Sequence, residues 1–151
     1  MSIHAYHRLY YHMVWTTKNR EPTIPSEKQE CLKQEIEKNS SFRKGNVQAI
    51  AVLEDHVHLC VTLPPTVALS TFIGEVKGAS SRAFNAESNN KIEWQRGYGI
   101  ITIRKNDLPD VTAYIEKNAE LHALKKGLSR TLERSEEPGE SSNSAEEERS
   151  I

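Results

Sequence analysis

The chain has 151 residues, 27% of them charged, and a formal net charge of −1. Cys31 and Cys60 are too few for a disulfide framework and lack zinc-knuckle spacing, and no apolar run is long enough to span a membrane. With no signal-peptide pattern over residues 1–11, these features point to one soluble, cytoplasmic domain.

The average charge hides a division. Residues 133–151 hold seven Glu and two Arg, a charge of −5, so the preceding 132 residues carry +4. A modestly basic body suits a nucleic-acid partner without requiring one. The segment ERSEEPGESSNSAEEERSI has almost no apolar set with which to offset the entropy of ordering. The expectation is a folded domain over residues 1–128 and a disordered acidic tail over 129–151.

Within the body, HRLYYHMVWTT (7–17) is rich in aromatic and β-branched residues and reads as a strand running into the turn-like NREPTIP. SEKQECLKQEIEKNS (26–40) has a weak amphipathic stripe and reads as a helix. VQAIAVL (47–53) and HVHLCVTL (56–63) are short strands joined through Glu54-Asp55, a hairpin-sized connection. VALSTFIGEVKGASSRAFNAE (67–87) is a helix with Leu69, Phe72, Ile73, Val76 and Phe84 on its apolar side, and YGIITIR (98–104) is a fourth strand. DLPDVTAYIEKNAELHALKKG (107–127) closes the series as a helix, with Asp107 as expected N-cap, Pro109 in the first turn and Gly127 as terminator. The order β-α-β-β-α-β-α predicts an α+β fold, an antiparallel sheet with helices packed on one face.

His56 and His58 are two apart on a predicted strand, so they share a face with Cys60 and Thr62, while Val57, Leu59, Val61 and Leu63 share the other. Alpha carbons so spaced lie about 6.5–7 Å apart, near enough for two imidazoles to converge on one ion. An isolated H-x-H is more often a pair of polar residues on a solvated sheet face, and two ligands leave a metal site incomplete. In the last helix Tyr114, Asn118 and His122 form one row beside the apolar stripe of Leu108, Val111, Ile115 and Leu124. A helix packed over the histidines would bring a phenol and an amide oxygen towards them. Taken alone, that row fits an ordinary amphipathic helix with a boundary tyrosine.

The segments YYHMVWTTKNREP, DHVHL, VKGASSRAFN, WQRGYGIITI and YIEKNAELH, in this order, resemble the single-tyrosine HUH transposases: the insertion-sequence-200-like transposases and their REP-associated relatives. The resemblance covers about Tyr6 to Lys126. It implies a ferredoxin-like (RRM-like) HUH fold, with His56-Val57-His58 as the paired histidines and Tyr114 as the catalytic nucleophile. Asn118 stands where the family's metal-binding glutamine is usual, so His56, His58 and Asn118 are the implied ligands of Mg²⁺ or Mn²⁺; Glu116 or His122 are alternatives for the third place. The family cleaves single-stranded DNA beside a hairpin through a 5′-phosphotyrosine, as a homodimer whose tyrosine can act in trans.

Lys18, Arg20, Lys77, Ser80, Ser81, Arg82 and Arg96 are candidate DNA contacts, the cations for phosphate, although a solvated charged face explains any one of them equally well. Trp94 and Tyr98 read as packing residues, and Cys60 as a small packing residue rather than a ligand. Tyr10, Tyr11 and Trp15 suit a sheet edge used for dimer pairing. Two rival readings remain beside the transposase: a domesticated hairpin-binding protein, and a nucleic-acid-binding module without catalysis. Phosphodiesterases with two H-x-T motifs fit poorly, because only one H-x-H exists.

Overall fold

A computed structural model describes residues 6–124, with side chains as far as Asn118. The acidic tail, Gly127 and the side chain of His122 lie outside the described residues. The elements are β1 (Tyr10–Thr16), α1 (Ser26–Phe42), β2 (Asn46–Val52), β3 (His56–Thr62), α2 (Leu69–Glu87), β4 (Gly99–Ile103) and α3 (Leu108–Leu124). The strands form one antiparallel sheet in the order β2-β3-β1-β4. This is the ferredoxin-like arrangement, with β3 and β1 in the centre.

Strand alternation divides the sheet into two unlike faces. Met13 and Trp15 of β1, Ile50 and Val52 of β2, and Val57, Leu59 and Val61 of β3 enter one core cluster with Leu32 and Ile36 of α1 and Phe72, Ile73, Val76 and Phe84 of α2. The opposite face carries a second, smaller cluster of Ala49, Ala51, Cys60 and Ile115, with Ile103, Leu108, Val111 and Tyr114 packed against it. Helices α1 and α2 therefore share one face as expected, but α3 crosses to the other. The physical reason lies in the sequence of α3 and the space left to it. Its Leu108, Val111 and Ile115 stripe must be buried, and the first face is already filled by two helices.

A bulge in β2 prepares the second face. Val47 lies opposite Val61, yet Ala49 lies opposite Cys60, so Gln48 is the extra residue. The slip turns Ala49 and Ala51 towards α3, whereas Val47 keeps contact with the larger core. Three small side chains, Ala49, Ala51 and Cys60, thus form the floor on which Ile115 sits fully buried. Burying a side chain of that size stabilises the fold by about 1.5–3 kcal/mol.

The connections follow local chemistry. The Glu54-Asp55 hairpin closes with the Leu53 amide donating to the His56 carbonyl at 2.8 Å. Helix α1 ends with Lys44 at φ 72° and the Gly45 amide donating to Ser40 O at 2.8 Å. A Cβ on Gly45 would stand 3.0 Å from the Phe72 ring and from Ser40 O, so the glycine permits a close approach. Asp107 does not serve as an isolated N-cap. It ends a short 3-10 turn, Lys105–Asp107, that runs directly into α3, and its carboxylate accepts from Arg104 Nε at 3.0 Å. Trp94 and Tyr98 pack against the main core as expected.

The proposed pairing edge at β1 needs correction. β1 lies between β3 and β4, and Trp15 is buried beneath the helices, so those aromatics face no open edge. Aromatic content matched a strand but could not say which strand would be central.

Candidate active site

The histidine face is built across three strands. His56 lies opposite Thr16, and His58 lies opposite Val14 on β1 and Ala51 on β2. Both imidazoles are completely buried, with ring centroids 5.0 Å apart and planes at 78°. The shared face expected from alternation is therefore what the backbone produces. Tyr114, half-buried on α3, meets the same group: its ring centroid lies 6.4 Å from that of His58, nearly edge-on at 86°. Asn118, one helical turn further along α3, is 5% exposed, and its Nδ2 has no hydrogen-bond partner among the described residues.

Each histidine is held through Nδ1. His56 Nδ1 lies 2.7 Å from the buried carboxylate of Asp55, and Arg20 Nε is 3.5 Å from the other Asp55 oxygen. A carboxylate accepts, so Nδ1 of His56 donates. His58 Nδ1 lies 3.0 Å from Nε2 of His12, a residue of β1 on the same face. Burial, reinforced by the nearby His58, pushes the pKa of His12 down to about 4, so it is neutral at pH 7. Cys60 shares this face, but burial pushes its thiol up to about 11. It stays protonated at neutral pH and packs with Ala49, Ala51 and Ile115, the packing role expected from sequence.

Neither Asp55 nor His12 stood out in the sequence. Asp55 could have been found, because a carboxylate beside a metal-spaced histidine is the usual partner of its second nitrogen. His12 had no such signal: its meeting with His58 depends on the β1–β3 pairing.

The turn that delivers Arg20 is unusual. Asn19 and Arg20 have φ of 58° and 55°, a conformation that costs on the order of 1 kcal/mol or more per non-glycine residue. It is braced by Thr17 Oγ1 donating to Glu21 O at 2.6 Å, by the Arg20 amide donating to Thr17 O, and by the Asn19 amide donating to Gln95 Oε1.

The seven candidate DNA contacts fall into two groups. Ser80 is fully buried and its hydroxyl donates to Lys77 O, so it faces the core, contrary to expectation. Lys77 donates from Nζ to the carbonyls of Gln95 (3.0 Å) and Gly97 (2.7 Å), and burial lowers its pKa to about 8. Arg20 is engaged with Asp55, and Ser81 Oγ donates to Gly78 O. Arg82, Arg96 and Lys18 face solvent, Lys18 with Glu93 at 3.3 Å. Lys18, Arg20, Lys77 and Arg96 are brought to one end of the sheet, where residues 93–95 pair with 16–18 and His56 opens β3. Of the two candidate cations on α2, Arg82 faces outward and Lys77 pins the loop at 95–97.

Among the described residues, no group of three or more His, Cys, Asp or Glu side chains is arranged to hold a metal ion. Asn118 adds a buried amide on α3, the helix that packs over the histidine face, and the Nδ1 atoms of the two imidazoles are already engaged.

This fold has its counterpart among known proteins. The family model described as "Transposase IS200 like" matches residues 5–118. The chain belongs to the IS200-like transposase family. The ISDra2 transposase TnpA of Deinococcus radiodurans is 30% identical over 117 residues, covering 73% of this chain and 84% of that protein. The IS200 transposase of Salmonella typhimurium is 27% identical over 103 residues, covering 64% and 68% respectively. A solved structure of a REP-associated tyrosine transposase bound to a REP hairpin has a TM-score of 0.60 at 26% identity, covering 83% of this chain and 77% of that one. A transposase candidate from Deinococcus radiodurans, solved at 1.90 Å, superposes with a TM-score of 0.64 at 23% identity, over 78% of this chain and 95% of that one, and supports the fold. This transposase-family chain has no helix among the described residues long and apolar enough to cross a membrane.

Proposed function

We propose that this family member cleaves and rejoins single-stranded DNA beside a hairpin, with Tyr114 as nucleophile and a 5′-phosphotyrosine intermediate. The observation that carries the reading is the meeting of Tyr114 with the paired histidines on one sheet face, 6.4 Å between ring centroids. The hairpin-bound relative supports the substrate class.

His56, His58 and Asn118 would hold a divalent ion, Mg²⁺ or Mn²⁺. Two imidazoles and an amide are neutral donors, so the ion would keep nearly its full charge for polarising the scissile phosphate. Imidazole leans towards Mn²⁺, and hard-ligand preference limits Mg²⁺. Asn118 is one methylene shorter than glutamine, about 1.5 Å less reach. The small floor of Ala49, Ala51 and Cys60 favours a close seat for α3 that offsets the difference.

The Tyr114 hydroxyl oxygen attacks phosphorus as its proton passes to solvent. The P–O3′ bond breaks, and the departing 3′ oxygen takes up a proton. In rejoining, a 3′-OH attacks the phosphotyrosine and restores the phenol. The bond count is conserved, so no nucleotide hydrolysis is needed. A free phenol has a pKa of about 10 and is a weak nucleophile at neutral pH, so it would rely on an ion that polarises the phosphate. Asp55 and its ion pair with Arg20 keep the His56 ring in one orientation. Lys18, Arg82 and Arg96 offer solvent-facing charge for phosphates. The working assembly is a homodimer in the cytoplasm; within one chain Tyr114 already faces His58, and exchange of α3 between subunits would preserve that contact in trans.

The test is to incubate the protein with labelled single-stranded DNA bearing a subterminal hairpin and either metal, denature it, and map any covalent adduct by peptide mass spectrometry. An adduct on the peptide containing Tyr114 is the expected result. An adduct on another tyrosine would reassign the nucleophile. Hairpin binding without any adduct across substrates and both metals would make the domesticated or binding-only reading the better one.

A further inference from the structure

We propose that His12 is a positioning residue for His58: it accepts a hydrogen bond from His58 Nδ1, which selects the His58 tautomer whose Nε2 lone pair faces the site. The inference rests on the metal-binding reading above and deepens it. The two rings approach with His12 Nε2 and His58 Nδ1 3.0 Å apart, centroids 5.1 Å apart and planes tilted by 30°. A nitrogen–nitrogen contact of that length between imidazoles needs one donor and one acceptor. A neutral imidazole carries a single N–H, so the direction of this bond decides which His58 nitrogen can ligate.

Nδ1 of His58 is closed to an ion by His12 itself. Only Nε2 can serve, which requires the proton on Nδ1 and places His12 as the acceptor, with its own proton on its Nδ1. The partner histidine is arranged alike, since the Asp55 carboxylate can only accept from His56 Nδ1 at 2.7 Å. The pair therefore receives two different acceptors, an anionic carboxylate for His56 and a neutral imidazole for His58. The neutral acceptor sits on β1, a separate strand paired in register with β3. It fixes His58 without adding a second negative charge where phosphate is to bind.

Two substitutions separate positioning from packing. His12→Gln can place a side-chain oxygen near the position of Nε2 and keeps an acceptor, whereas His12→Phe keeps a ring and removes the acceptor. Mn²⁺ alone is titrated into each protein, and the free ion is read by electron paramagnetic resonance. His12→Phe is expected to weaken Mn²⁺ binding about 10–100-fold, as loss of such a partner does at other metal sites, while His12→Gln stays within a decade of wild type. If Phe binds as wild type does, or Gln loses as much as Phe, the positioning role is overturned. A wild type that holds no Mn²⁺, or a His58→Ala variant that holds it unchanged, overturns the metal-binding reading and the role of His12 with it. Wild-type binding lost in His58→Ala but intact in His12→Phe overturns the His12 inference alone. Should His12→Phe fail to fold, ¹⁵N spectra of the wild-type imidazoles decide the matter. The expected result is a proton on His58 Nδ1 with coupling across the bond to His12 Nε2; a proton on His12 Nε2 overturns the proposal.

Discussion

The two faces of this sheet are made from the same strands and differ in almost every property. On the helix-covered side Met13, Trp15, Val57, Leu59 and Val61 meet α1 and α2 as a continuous apolar layer. On the other side, their immediate neighbours His12, His56, His58 and Cys60 lie on the α3-covered face. β3 is buried along both faces, so the histidines are polar groups committed to the interior. Burial of that kind is costly unless each group is hydrogen-bonded, and Asp55 and His12 meet the requirement at the two Nδ1 atoms. One face is a continuous apolar layer, and the other commits polar groups to the interior.

The largest effect expected of any single change is on the chemistry side. Tyr114→Phe removes one hydroxyl and leaves the ring, so thermal stability should change little. Adduct formation should fall roughly 10⁴-fold or more, to background, as for other covalent nucleophiles. On the proposed mechanism, His56→Ala should likewise abolish cleavage while sparing most hairpin binding, because the ion would act mainly on the transition state. Electrophoretic-mobility and cleavage assays run in parallel on both variants check this, and loss of binding in step with cleavage would blur the division between the faces.

Leu59→Ala is the matching change on the other face. Leu59 is completely buried in the main core between two histidine-face neighbours. Its truncation should cost about 2–5 kcal/mol in chemical denaturation. At a temperature where the variant is still folded, Mn²⁺ affinity should be close to wild type. A variant that keeps its stability yet loses the metal would mean that the faces are coupled through β3 rather than separable.

How far these faces could be seen in the sequence depends on what each needs. Alternation along one strand suffices to place His56 with His58 and Val57 with Leu59, and it did. The helix boundaries and element order also follow from local pattern. The side chosen by α3 does not, because it depends on which face α1 and α2 occupy first. His12 was hidden for a related reason: its partner is 46 residues away, and only the β1–β3 register brings them together. The expected β1 edge failed because aromatic strands are favoured both at edges and in centres. Ser80 falls on the buried row of α2 with Ile73, Val76 and Phe84, which the periodicity itself indicates, whereas the carbonyls that Lys77 reaches at Gln95 and Gly97 come from a distant loop that periodicity does not show.

Lys77 sharpens the comparison at the sheet's end, where residues 95–97 close over the structure. Its ammonium donates to two carbonyls there, and Trp94 Nε1 donates to Lys77 O at 2.9 Å. Lys77→Met keeps the stem and removes the charge and both donors, so at pH 7 the lost hydrogen bonds are opposed by relief of the burial that depresses the Lys77 pKa, and the net change in stability should be small. The pH dependence has a definite sign. Burial depresses the folded-state pKa to about 8 from 10.5, so between those values the unfolded chain binds more protons. Raising the pH through this window therefore stabilises the native state through Lys77. Denaturation midpoints measured from pH 7.5 to 10.5 should show this contribution in wild type and lack it in Lys77→Met. Parallel pH profiles for the two proteins would contradict it.

The smallest expected effect is at the boundary between packing and chemistry, at Asn118. Its amide is buried at the end of the α3 contact with the sheet, one turn beyond Tyr114. Glutamine keeps the functional group and adds one methylene, so the volume change is modest and the amide can reach about 1.5 Å further. If the small floor under α3 already brings the helix close, extra reach gives little, and Asn118→Gln should match wild-type cleavage at saturating Mn²⁺. At limiting Mn²⁺ it should equal or exceed wild type by a few-fold, which corresponds to less than about 1.4 kcal/mol. A metal titration of cleavage rate for the two proteins reads the difference directly. A glutamine variant that cleaves worse at every metal concentration, with unchanged thermal stability, would show that the site is shaped around the shorter side chain. In that case the close seat of α3 on Ala49, Ala51 and Cys60 leaves no room for the longer one.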